Sequence, residues 1–160
     1  MLRLFFWVLF VQIFILNNLQ FSGYINPYYY IVFILTAGSK TTKFNTIIYS
    51  FFLGLIIDVF SYSYGIHAFS SVLISYIQLN WFSKISDHKD VEFIIDINKL
   101  NFQRYFNFIA FFVFLHHFTL FFLESCDIND IFSILKTTFL SSVFTIILLL
   151  LHTVFNRKKI

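Results

Sequence analysis

Charge is scarce in this chain. Of 160 residues only 12% are Asp, Glu, Lys or Arg, about half the share of an ordinary soluble domain. With 59% hydrophobic residues, there is too little polar surface to cover a water-soluble globule. Cysteine occurs once, at Cys126, which excludes an intrachain disulfide. Four glycines and one proline leave no glycine-rich loop to cradle a phosphate. His, Cys, Asp and Glu fall at no metal-ligand spacing, so neither a metal nor a cofactor is expected. No serine can be matched to a base and an oxyanion site at the same depth, so no catalytic residue is assigned and no enzyme is expected. The net charge of +3 comes from residues at segment ends and is no signal for nucleic acid.

What is present is apolar sequence in long runs, which reads as an all-α polytopic membrane protein with one integral domain over residues 1–160. Helices are expected at about 4–21, 24–39, 44–60, 66–82, 104–123 and 132–155. The first carries a single Arg and no small-residue cleavage site, so it reads as a retained helix and not a removed signal peptide. The second is the shortest. It follows the turn signals Gly23, Asn26 and Pro27, and either begins before Pro27 or is partly re-entrant. Residues 84–104 form the longest polar stretch, read as a solvated loop. With six spans, ten of the eleven Lys and Arg residues fall on one side, which the positive-inside rule makes cytoplasmic together with both termini. Tyr24, Tyr28, Tyr29, Tyr30, Tyr62 and Tyr64 would then form an outer aromatic belt, and Trp81 and Tyr105 part of an inner one.

The stretch Gly54–Phe69, GLIIDVFSYSYGIHAF, stands out because Asp58 is the only acid inside an apolar run. A carboxylate near a membrane centre costs roughly 2.5 kcal/mol or more, and less near the edge, so it requires a partner or a task. Ser50, Gly54 and Asp58 share one helix face, a small-residue stripe that lets another helix approach closely. After a turn at Gly65, the residues His67, Ser71, Ser75 and Gln78 form a facing polar stripe. Asp58 either caps the turn and the following helix or contacts a ligand or partner, and a pairing with Lys136, directly or through His67, is a further candidate. Thr138, Ser141, Thr145 and His152 make a stripe on the last helix, read as helix packing. Of the adjacent His116 and His117, at most one is expected to face the bundle interior.

The pattern Gly54-x3-Asp58-x6-Gly65-x2-Ala68 resembles the signature region of the rod-shape-determining MreD family. Two further stretches, Asn17–Leu35 (NNLQFSGYINPYYYIVFIL) and Leu115–Glu124 (LHHFTLFFLE), resemble its Bacteroidetes-type members, so the likeness covers most of the chain. The resemblance implies a six-helix fold similar to the S-components of energy-coupling-factor transporters. It also implies a non-enzymatic scaffold of lateral peptidoglycan synthesis in the bacterial inner membrane. The implied partners are membrane lipid, a bitopic MreC-like protein with its wall-synthesis complex, and a second copy of the chain. The alternative is a vitamin-binding subunit of the S-component kind, which needs a roomy outer pocket with converging polar groups. The sequence offers many aromatics for such a pocket but few converging polar side chains.

The charge bias makes a direct prediction. Reporter fusions after Tyr64 and Asp127 should report the outside, and those after Lys40, Lys89 and Lys159 the cytoplasm. A cytoplasmic signal at Tyr64 would sink the six-span arrangement.

Overall fold

The computed structural model describes residues 1–19, 25–85 and 101–156. Helix α1 (Leu2–Phe10) continues through a wide π turn (Val11–Ile15) into a short 3-10 turn (Leu16–Asn18). It is followed by α2 (Ile31–Ala37), α3 (Lys43–Ser61), α4 (Ile66–Ile85), α5 (Phe102–Ser125) and α6 (Ile131–Asn156). Three helical stretches, Lys43–Ser61, Phe102–Ser125 and Ile128–Phe155, are long and apolar enough to cross a membrane. Local signals fix their ends. The Thr42 hydroxyl accepts from the Asn45 N–H and the Asn101 side chain from the Arg104 N–H, capping α3 and α5. Cys126 closes α5 in the left-handed conformation. The stretch read as a polar loop lies, over residues 86–100, outside the described residues, as do Tyr24 and the basic tail from 157 on.

Polar side chains are buried beside an apolar core, and large apolar side chains cover the outside. Ser50, Asp58, His67, Ser71, Ser75, Gln78, His116, His117, Ser141 and Thr145 are buried. Phe6, Trp7, Phe14, Phe51, Phe60, Phe69, Phe139 and Phe155 are exposed. So many exposed large apolar side chains suit a bundle whose outer surface meets lipid. α3 packs chiefly on α4, α5 on α6, and α4 also on α5.

The second segment departs from expectation. Helix was expected over 24–39, but it forms only over Ile31–Ala37, and residues 26–30 are irregular. Seven residues of helix span about 10 Å, far short of a hydrocarbon core. Pro27 explains the late start, since it lacks an N–H and disfavours helix at the residue before it. The segment is not lipid-exposed: Tyr28 to Leu35 are all buried, with Tyr30, Ile31 and Ile34 at 0% exposure. It fills the centre of the bundle, and Tyr28, Tyr29 and Tyr30 belong to the core, not to an interfacial belt. Tyr105 is likewise buried, its hydroxyl bonded to Thr153, whereas Trp81 is exposed.

The stripe on α3 meets α4 at very close range. A Cβ placed on Gly54 would lie 2.5 Å from the Ala68 Cα and 2.6 Å from the His67 carbonyl oxygen. Both are backbone atoms, so neither side can yield cheaply. Gly54→Ala should therefore lower unfolding stability by about 1–3 kcal/mol, the usual cost of overpacking, and Gly54→Leu should abolish folded protein in detergent. A Leu variant that melts like the parent would show that this face does not bear on α4.

Candidate functional site

The site is built around the irregular segment. Backbone groups at membrane depth must find partners inside the protein, and those of residues 26–28 find them on neighbouring helices. The Asn26 N–H donates to Ser141 Oγ at 3.0 Å and the Tyr28 N–H to Thr145 Oγ1 at 3.1 Å. The Pro27 carbonyl accepts from Gln12 Nε2 at 3.1 Å. At the far end of α2, Gln78 Nε2 donates to the Leu35 carbonyl at 2.8 Å. The stripe on α6 thus packs by small polar residues, meeting both the irregular segment and, through Thr145 and His117, α5. Its fourth member, His152, bonds the Tyr29 hydroxyl, and Thr138 is buried.

The segment carries its tyrosines into a group of histidines. The Tyr30 hydroxyl is bonded to His67 Nδ1 at 2.9 Å and to His116 Nε2 at 2.8 Å. The Tyr28 ring lies against His67, His116 and His117, with centroids 5.1, 6.0 and 5.2 Å away. His117 Nε2 meets Thr145 Oγ1 at 3.2 Å, and its Nδ1 meets the Val113 carbonyl at 2.8 Å. Both His116 and His117 are fully buried, against the expectation that at most one would be. Successive residues on a helix point about 100° apart, and α5 has neighbours over a wide enough arc to bury both. His116 faces Tyr30, and His117 faces α6.

Asp58 is also buried, and its carboxylate is held by three donors. Oδ1 accepts from Ser63 Oγ at 2.6 Å and from the His67 N–H at 2.9 Å, and Oδ2 accepts from the Ala68 N–H at 2.8 Å. Those two N–H groups belong to the first turn of α4, where the helix dipole also favours negative charge. Tyr62, Tyr64 and Gly65 reverse the chain with φ of 55°, 52° and 95°, aiming the start of α4 back at the carboxylate. Gly65 takes this left-handed conformation without the strain a Cβ would bring. Of the other expected site residues, Ser50 and Gly54 are buried on the same face of α3. Lys136 is exposed on α6, whereas the three donors described for Asp58 come from residues 63, 67 and 68.

Beside the Gly65 turn a cleft of about 470 Å³ opens into the bundle. Its lining includes Gln12, Asn17, Asn18, Asn26, His67 and, at the end of α5, Glu124. Polar side chains therefore converge here to a degree the sequence did not show. Gln12 is the residue sequence reasoning passed over. It is the one polar side chain between Leu4 and Leu16, and that isolation was the available signal. Among the described residues no group of three His, Cys, Asp or Glu side chains is placed to hold a metal ion. Comparison with known protein families, characterised proteins and solved structures finds no match.

The Asp58 geometry yields a graded expectation. Asp58→Ala strands two buried N–H groups and should cost about 2–3 kcal/mol in unfolding stability. Asp58→Asn keeps one acceptor oxygen and should cost roughly half as much. Equal stability of all three proteins in a detergent unfolding assay would show that the carboxylate does not hold α4.

Proposed function

We propose that this chain is a non-enzymatic scaffold of the MreD kind in a bacterial inner membrane. In this reading it crosses the membrane six times with both termini cytoplasmic, the irregular segment and α2 together making the second crossing. There it would bind a bitopic MreC-like protein and, through it, the lateral peptidoglycan-synthesis machinery. One observation supports the reading above others. The three stretches that carry the resemblance supply the residues of a single buried cluster: Tyr28 and Tyr30 from the first, His67 from the second, His116 and His117 from the third. The polar groups of these stretches are spent on joining helices, as Asp58 is on α4, which is the work of a scaffold. Depletion in rod-shaped cells should produce rounding and scattered wall synthesis, and the tagged chain should retain the bitopic wall-synthesis protein through purification. Normal rods after depletion, with no such protein retained, would overturn the proposal.

The cleft favours a second reading, a solute-binding subunit similar to transporter S-components. Its size lies within the range of small-molecule sites, and its polar lining supplies what that reading requires. A small molecule retained through purification, together with an uptake defect on depletion, would select this reading over the first.

A further inference from the structure

We infer that the cleft beside the Gly65 turn takes a small organic cation, one bearing a guanidinium or ammonium group; the inference rests on the solute-binding reading. The argument begins with the direction of the amides in its wall. Gln12 Nε2 donates to the Pro27 carbonyl at 3.1 Å and to Asn17 Oδ1 at 2.9 Å. Asn17 Nδ2 donates to Ser61 Oγ at 3.0 Å. Asn18 Nδ2 donates to the Phe14 carbonyl at 3.0 Å. A backbone carbonyl only accepts, so the NH2 faces of Gln12 and Asn18 are fixed toward the protein. Gln12 in turn directs Asn17 by bonding its oxygen. Asn17 Oδ1 is thereby taken, and the Gln12 oxygen is what remains. Gln12 is fully buried and its Oε1 has no partner among the described residues.

Charge gives the sign. Glu124, itself exposed, lines the cleft, and among the described residues neither Lys nor Arg lines it. A cleft that has, among the described residues, one carboxylate, an amide oxygen without a partner and neither Lys nor Arg is matched by a ligand that donates hydrogen bonds and carries positive charge. A guanidinium presents a fork of donors to a carboxylate, which a neutral isostere cannot do with the same strength.

Butylguanidinium and butylurea have the same shape and differ in charge. Titrated into the intact chain in neutral maltoside micelles, followed by calorimetry and ligand-observed NMR, butylguanidinium should bind about tenfold tighter or more. Glu124→Gln should erase most of that preference without unfolding the chain, because Glu124 is exposed at a helix end. Asp127→Asn, a change in the next loop and outside the cleft, should leave the preference intact. Equal binding of the two probes, or tighter binding of butylurea, would overturn the cation assignment while leaving a solute site in place. Binding of neither probe at about 10 mM, a concentration at which eight-atom ligands of ordinary efficiency register, would overturn both the assignment and the solute-binding reading. Equal loss of preference in Asp127→Asn and Glu124→Gln would trace the effect to diffuse surface charge and overturn the site.

Discussion

The backbone of residues 26–30 is the constraint to which the bundle answers. Irregular chain in an apolar interior leaves N–H and C=O groups bare, each at a cost of several kcal/mol unless it is paired. Here the pairing comes from Gln12 in the π turn after α1 and from Ser141 and Thr145 on α6, with Gln78 on α4 holding the end of α2. These side chains explain why polar residues sit inside the bundle. A continuous helix at that position would satisfy its own backbone, and the same side chains would then be buried without purpose. The irregular segment in turn lets Tyr28 and Tyr30 reach three histidines on two helices.

Asp58 solves the opposite problem, a full charge where charge is expensive. Its carboxylate sits against the N-terminal turn of α4 and takes two backbone N–H groups and a serine hydroxyl. Charge-assisted bonds of this kind are about twice as strong as neutral ones. Gly54, one turn earlier on the same face of α3, allows the approach that brings the carboxylate within reach. The two residues act as one device: the glycine closes the gap and the acid fixes where along α4 it closes.

Much of this was legible in the sequence, and the exceptions share a cause. The apolar runs gave α3, α5 and α6 to within two residues at each end, since long periodic segments bounded by caps leave little choice. The turn at Gly65 and the facing stripes of α3 and α4 were also readable. The second helix was not, because an apolar run of this length reads alike as buried irregular chain and as helix, and only Pro27 marked the difference. Tyr28 to Tyr30 were misplaced for a related reason. Tyrosine suits an interface and suits equally a core that offers its hydroxyl a partner, and His67 and His116 lie far away in sequence. For His116 and His117 the helical geometry was sound, but the number of neighbours around α5 depends on the whole bundle.

The cleft and the core are joined through single side chains. Gln12 lines the cleft, holds the Pro27 carbonyl through its Nε2 and keeps a buried Oε1 with no partner among the described residues. Hydrogen bonds on opposite ends of one amide polarise each other and strengthen together. A donor that meets Oε1 would therefore tighten the bond that pins the irregular segment, and by reciprocity a well-pinned segment would bind that donor better. Tyr28 extends the link, since it lines the cleft while its N–H is fastened to α6. The cleft and the buried tyrosine–histidine cluster are thus not separate regions of this protein. Whatever fills the cleft bears on the same contacts that hold α1, α4 and α6 around the segment.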